Sequence, residues 1–354
     1  MTILVTGGSG FIGSNFIIDW IEQSKEKIIN VDKLTYAGNK ENLFSVENSS
    51  QYFFEHGDIC NFKFLKNVIF KHTPRIIVNF AAESHVDRSI NSPEDFIQTN
   101  IVGTFYLLES ARLYWSKLDL SQKSEFRFVH ISTDEIYGTL KKNQPPFSET
   151  NRAEPNSPYS ASKAASDHLV RAWNQTYDLP VITTNCSNNY GPYQFPEKLI
   201  PLTIFNALAG KTIPIYGDGQ QVRDWIYVKD HCNAIRRVID LGKIGQIYNI
   251  GGSNEKPNLE IVHKVCHLLD ELSPKLDGTS YKNQIMFVTD RPGHDRRYAI
   301  DTHKIQKELS WKPIETFETG IRKTLEWYLN NLKWVNNVQN GDYRDWVKKQ
   351  YGLN

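Results

Sequence analysis

Glycines at positions 7, 10 and 13 restrict the fold more than any other feature of the chain. They stand between the apolar run Ile3-Leu-Val-Thr6 and the apolar-periodic stretch Phe11 to Ile21. A strand that ends in Gly7-Gly-Ser-Gly-Phe-Ile-Gly13 and passes directly into a helix is the G-x-x-G-x-x-G form of the dinucleotide fingerprint. Glycine there allows a tight turn, close approach of backbone to a pyrophosphate, and close helix–strand packing. The helix N-terminus adds N–H donors and a partial positive charge. Asp32 closes the next apolar run, Ile28-Ile-Asn-Val31, about 20 residues further on. A carboxylate at that place accepts hydrogen bonds from ribose hydroxyls and repels a 2′-phosphate, so the spacing favours NAD over NADP. Asp58-Ile59, after a third run at Tyr52-Phe-Phe54, is a candidate contact for the adenine ring.

The strand–helix rhythm continues through the first half. Arg75 to Ala82 is nearly all apolar, as a strand covered on both faces should be. Phe96 to Leu113 has the pattern of one long helix, Phe126 to Ser132 of a strand, Ser160 to Tyr177 of a helix, and Val181 to Asn185 of a strand. This alternation predicts an α/β chain with a Rossmann-type doubly wound parallel sheet. Beyond residue 186, proline and glycine break the rhythm. Trp225 to Val228, with the helix Asp230 to Leu241, reads as a return to that sheet. The expected organisation is therefore an NAD-binding domain over 1–186 with a returning segment at about 225–250. Residues 187–224 and 251–354 form a smaller, interleaved mixed α/β substrate domain. The aromatic tail (Trp327, Tyr328, Trp334, Tyr343, Trp346) reads as core and lid packing, with one tyrosine a candidate cover for a nucleotide base.

Charge and cysteine usage narrow the partners. The 354 residues carry 41 Lys+Arg against 40 Asp+Glu, which removes the electrostatic reason to expect nucleic acid or an anionic membrane surface. No apolar run approaches the roughly 18 to 20 residues of a membrane span. The N-terminus lacks the basic, apolar and small-residue regions of a signal peptide. Cys60, Cys186, Cys232 and Cys266 form no C-x-x-C pair, so reduced thiols in a cytoplasmic protein are expected, with no metal site.

Two short stretches carry chemistry. Tyr159-Ser-Ala-Ser-Lys163 puts a phenol and an ammonium on one helix face by its i, i+4 spacing. Free tyrosine, with a pKa of about 10, is a poor base at neutral pH. A nearby lysine cation and the nicotinamide charge are expected to stabilise the phenolate. Ser132-Thr133-Asp134-Glu135 follows a strand at its carboxyl end, where open α/β sheets bind ligands. A hydroxyl there can bond a sugar hydroxyl, and two adjacent carboxyls can separate in pKa into an acid and a base. A diphosphate entering a near-neutral protein needs local cations. Arg223 and Arg291 are the best placed, the competing reading being structural salt bridges to Asp224 or Asp290. His85 reads as a structural histidine rather than a base.

On these residues, together with Ala81-Ala-Glu-Ser-His-Val-Asp-Arg-Ser-Ile90, Asn188 to Pro201 and Asp290 to Tyr298, the chain resembles the extended short-chain dehydrogenase/reductases. Within them it resembles the dTDP-glucose 4,6-dehydratase family over nearly its whole length. The adjacent Asp-Glu pair separates such dehydratases from nucleotide-sugar epimerases and decarboxylases. The resemblance implies a hydro-lyase cycle with bound NAD in which dTDP-glucose becomes its 4-keto-6-deoxy derivative. Tyr159 takes the 4-hydroxyl proton, Thr133 orients that hydroxyl, Glu135 removes the C5 proton, and Asp134 protonates the departing 6-hydroxyl. It further implies Phe11, Ile12, Asp32, Lys33, Leu34, Thr35, Asp58, Ile59, Ala81, Ala82, Ser84 and Thr99 along the cofactor, with Asn189 near the nicotinamide and Lys163 on its ribose. Asn188, Lys198, Leu199, Pro214, Tyr216, Arg223, Asn258, Arg291 and His294 are implied around the nucleotide diphosphate-sugar, with Ser84 and Thr133 at its sugar. A homodimer through the helices near 96–113 and 160–177 is also implied. The segment between Tyr137 and Tyr159 looks shorter than is usual in the family. UDP-glucose is the rival substrate, and a non-catalytic nucleotide sensor or scaffold the distant alternative.

Overall fold

Twelve strands divide among three sheets in the computed structural model, which describes residues 1–338; Tyr343 and Trp346 lie outside the described residues. The strands are β1 Thr2–Thr6, β2 Lys27–Asp32, β3 Tyr52–His56, β4 Ile76–Asn79, β5 Arg127–Thr133, β6 Val181–Cys186, β7 Asn188–Tyr190, β8 Ile213–Tyr216, β9 Val222–Tyr227, β10 Ile247–Ile250, β11 Glu255–Pro257 and β12 Ile285–Val288. The large sheet runs β10-β6-β5-β4-β1-β2-β3 with every pairing parallel. The order reverses at β1, so a crevice opens at the carboxyl ends of β1 and β4. The phosphate loop leaves β1 there and Phe80 to Ser84 leave β4.

Apolar side chains alternate between the two faces of this sheet. On one face Ile3, Val5 and Ile76 pack with Phe16, Trp20, Cys232 and Ile235 from the helices Phe11–Gln23 and Val228–Leu241. On the other, Leu4, Ile29 and Phe128 pack with Leu65, Leu108 and Val170 from Phe62–His72, Thr104–Trp115 and Pro158–Tyr177. A separate core joins β8 and β9 to the helices Leu199–Leu208, Asn258–Leu272 and Phe317–Asn330. Trp327, Tyr328 and Trp334 belong to this core, and Tyr328 donates to the Gln194 carbonyl rather than facing a ligand space.

Two local expectations change. β9 does not join the large sheet; it pairs with β7 and β11 in a small three-stranded sheet. The edge beside β6 is taken by β10, Ile247 opposite Thr183. β9 also carries Arg223 and Asp224 fully buried, and charged side chains do not suit a strand sandwiched between apolar helices. The helix after β9 nevertheless returns to the large sheet's core. The helix expected over 96–113 is interrupted by a seven-residue π-helical stretch, Ile97–Gly103. Asn100 there bonds the backbone N–H and C=O of Glu83, while a Cβ on Gly103 would lie 2.6 Å from Ile59 Cδ1. These contacts set the wider turn, of a kind common at functional sites.

Candidate active site

The phosphate loop has the shape a pyrophosphate requires. Gly7 is left-handed (φ 69°), and a Cβ on it would sit 2.6 Å from the Ala81 nitrogen; one on Gly13 would sit 2.4 Å from the Gly7 carbonyl oxygen. The helix Phe11–Gln23 begins with no side-chain cap and no acid in its first turn, leaving its N–H donors for an anion. At the far end of β2, Asp32 Oδ2 accepts from Ser9 N–H at 2.9 Å and Oδ1 from Leu34 N–H at 2.8 Å. Each oxygen keeps a further lone pair for a ribose hydroxyl. Burial raises the Asp32 pKa, opposed by those two backbone donors.

A cavity of about 300 Å³ runs from this loop to the carboxyl end of β5. Of the residues expected along the cofactor, all line it except Leu34, which adopts φ 57° and serves Asp32 through its backbone. Lys33 pairs with Asp58 at 2.7 Å on its wall. These features fit a dinucleotide.

Thr133, Asp134, Glu135, Tyr159 and Lys163 meet at the cavity's inner end. Thr133 ends β5 and caps the turn Asp134–Tyr137, its Oγ1 accepting from Glu135 N–H at 3.3 Å. The helix Pro158–Tyr177 starts where it does because Ser157 and Ser160 form a capping box with Pro158 at the first position. Tyr159 therefore emerges from the first turn, edge-on to Phe96 with centroids 6.2 Å apart. Lys163 Nζ donates to the Ile131 carbonyl at 2.8 Å. Burial holds the Tyr159 phenol well above its ordinary range, Glu135 pushes it further, and the Thr133 hydroxyl opposes. Burial also lowers the Lys163 ammonium, opposed by Asp167. Ser132 is committed to Asp167, 2.8 Å away, which leaves Thr133 as the hydroxyl beside Tyr159.

Both carboxyls are raised, unequally. Asp134 lies well above the usual range because it is buried and sits beside Glu135 and Asp224; its Oδ2 has no partner. Burial also raises Glu135, but Arg291, Lys198 and Arg223 oppose it.

A family profile described as GDP-mannose 4,6 dehydratase matches residues 4–324. A curated dTDP-glucose 4,6-dehydratase 1 from Escherichia coli K12 is 58% identical over 359 residues, 99% of each chain. One from Neisseria meningitidis serogroup B is 57% identical over 97% of each. The chain belongs to the dTDP-glucose 4,6-dehydratase family. Among solved structures, the Bacillus anthracis family member in complex with NAD matches with TM-score 0.84 and 47% identity, over 96% of this chain and 99% of that one. The Streptomyces venezuelae member with NAD and TYD bound gives 0.86 and 42%, over 96% and 100%.

The positions expected to hold the dehydratase family's nucleotide sugar divide. Ser84, Thr133, Asn188 and Lys198 line the same cavity, with Lys198 Nζ donating to the Ser84 carbonyl at 2.7 Å. Leu199, Pro214, Tyr216, Arg223, Asn258, Arg291 and His294 lie outside its lining. Tyr216 ends β8 and Pro214 is buried within it. Leu199 and Asn258 begin the helices Leu199–Leu208 and Asn258–Leu272, the Asn258 Oδ1 buried without a partner. Arg223 makes no salt bridge to Asp224, whose carboxylate accepts from Gly252 and Asn254 N–H. It donates instead to the Val222 and Asp295 carbonyls and lies 4.3 Å over the Tyr298 ring. Arg291 pairs with Asp87 at 2.8 Å rather than through its side chain with Asp290. Asp290 holds His294 at 2.6 Å, and burial pushes that imidazole down to about 4.

His85 is buried, accepts from Arg88 N–H, faces the Glu197 carbonyl and is pushed by burial down to about 4: a neutral, structural ring. Sequence reasoning passed over Asp87 and the cavity-lining Glu83, Gln194 and Glu197. Glu83 and Asp87 lie inside the 81–90 stretch, but nothing in their spacing distinguishes them from a solvated turn.

Proposed function

We propose that this protein converts dTDP-glucose to dTDP-4-keto-6-deoxyglucose, eliminating water across C5 and C6 of the sugar and regenerating its NAD each turnover. The observation that carries the reading is the adjacent pair of buried Asp134 and half-buried Glu135 beside Tyr159, at the inner end of a cavity that begins at a dinucleotide loop. Bound there, NAD supplies the hydrogen acceptor for C4 and the donor for C6, with a ring charge that favours the Tyr159 phenolate. Gly7, Gly10 and Gly13 would cradle its pyrophosphate, Asp32 its adenosine ribose, and Lys163 its nicotinamide ribose. Thr133 holds the 4-hydroxyl against Tyr159, which takes its proton. The resulting 4-ketone acidifies C5–H. Glu135, kept the more ionisable carboxyl by Arg291 and Lys198, removes that proton. Asp134, kept protonated by burial, gives its proton to the departing 6-hydroxyl so that water leaves, and Glu135 returns its proton to C5 as C6 is reduced.

The partner is a nucleoside diphosphate-sugar held by Arg223 and Arg291. We also propose a homodimer: Ile97, Phe105 and Tyr177 are exposed apolar groups on the two helical segments expected to pair. No helix among the described residues is long and apolar enough to cross a membrane, and the four cysteines are free, which supports a cytoplasmic location.

The test is turnover of dTDP-glucose against UDP-glucose with no added NAD, followed by the alkaline absorbance of the 4-keto-6-deoxy product. A kcat/KM much higher for dTDP-glucose is expected. Equal or better turnover of UDP-glucose reassigns the nucleotide, and no product from either, even with NAD supplied, removes the dehydratase reading.

A further inference from the structure

One buried charge with no part in the chemistry above ties the two lobes together. Asp87 lies in the first turn of the helix Val86–Asn91, where the helix dipole favours a carboxylate, and is 4% exposed. Its oxygens are divided between two distant side chains: Oδ1 accepts from Arg291 Nη1 at 2.8 Å, and Oδ2 from the Tyr216 hydroxyl at 3.0 Å. These partners stand 204 and 129 residues away, Tyr216 at the end of β8 and Arg291 in the loop after β12.

The nearer carboxylate, Asp290, is occupied elsewhere. It accepts from Gln221 Nε2, faces His294, and takes the backbone N–H of Arg291 rather than its guanidinium. Asp87 engages Arg291 through Nη1, while Arg291 Nε is buried with no partner, a donor of the kind that calls for an acceptor. Arg291 is also close enough for its charge to bear on Glu135 and Lys198. A guanidinium gripped on one nitrogen, with another donor unspent beside the catalytic carboxylate, is oriented for an anion.

We propose that Asp87 is a positioning residue, holding Arg291 and Tyr216 in place for the diphosphate portion of the nucleotide sugar. It does so across the junction between the dinucleotide lobe and the smaller lobe. The inference rests on the dehydratase reading above.

Asp87→Asn tests it, because asparagine still accepts from Tyr216 but offers Arg291 no charge. The expected result is a KM for dTDP-glucose raised about tenfold, a dTDP Kd raised by a similar factor, kcat within about threefold of the parent and unchanged bound NAD. Asp87→Glu, which keeps the charge, recovers part of the loss. A folded, NAD-loaded Asn variant with parental KM and dTDP Kd overturns the proposal. So does a joint loss of kcat and NAD at unchanged KM, which marks a structural brace only. Should the Asn variant fail to fold, Tyr216→Phe breaks the other half of the clamp. A raised dTDP Kd then supports the proposal and a parental one overturns it. If the parent itself neither binds dTDP nor turns over dTDP-glucose, the functional reading fails first and this one with it.

Discussion

Asp134 and Glu135 are neighbours in the chain but not in charge environment. Asp134 is fully buried beside Glu135 and Asp224 with Arg223 opposing them, whereas Glu135 faces Arg291, Lys198 and Arg223 against Asp295. Burial raises both, and Arg291 and Lys198, which bear on Glu135, separate them in the direction an acid–base pair needs.

Glu135→Gln is expected to stop loss of water while leaving C4 oxidation. In a single turnover, reduced-cofactor absorbance should rise and persist, with product formation down at least about 100-fold. Equal loss of both phases would assign the C5 base elsewhere. In the parent enzyme Glu135 must be ionised to act, and its pKa is raised. The acid limb of kcat should therefore lie above the roughly 4.3 of an ordinary glutamate.

Asp134→Asn separates function from stability. A carboxyl whose folded pKa exceeds its unfolded value makes the folded state hold more protons than the unfolded one, so stability declines as pH rises between the two. Below the unfolded pKa both states are protonated and the cost disappears. The asparagine variant should thus melt higher than the parent at pH 8 and nearly level with it at pH 4, while losing dehydration. A variant that melts lower at pH 8 would mean that Asp134 is ionised and paired.

Arg223→Ala removes a buried cation that donates to two backbone carbonyls and lies against Tyr298. The KM for dTDP-glucose should rise about tenfold or more, and stability should fall by about 1.5–3 kcal/mol, the usual range for hydrogen bonds from a charged group. Steady-state kinetics and urea denaturation read the two effects separately. An unchanged KM would confine Arg223 to a structural role.

Gly7→Ala tests the phosphate loop itself. A methyl group there sits 2.6 Å from the Ala81 nitrogen, on a backbone at φ 69° that costs an L-residue about 1–3 kcal/mol. The variant should melt lower and be purified with little bound NAD. Full NAD content would show that β4 can move away from the loop at little cost.

Much of the site was legible in the linear order because its chemistry is local. Gly7, Gly10 and Gly13 lie on one turn, Tyr159 and Lys163 on one helix face, and Thr133 to Glu135 at one strand end. Strand–turn–helix periodicity is enough to bring such groups to the carboxyl edge of a parallel sheet. The fold class was readable for the same reason: apolar runs such as Ile76–Asn79, buried on both faces, belong in a covered parallel sheet.

The remainder depended on contacts between distant segments. Periodicity could identify β9 as a strand but not the sheet it enters, which was decided by β10 occupying the edge and by the buried Arg223 and Asp224. The π-helical turn at Ile97–Gly103 arose from Asn100 holding Glu83 and from the close approach of Ile59. Asp87 gained its two partners only when β8 and the loop after β12 folded onto the dinucleotide lobe. Burial and the neighbouring Glu135 raise the Tyr159 phenol, an effect that its spacing from Lys163 does not disclose. By itself the sequence determined which groups are present and which share a turn. The tertiary structure decided their charge states and long-range partners, because desolvation and Coulomb forces depend on distance in space rather than along the chain.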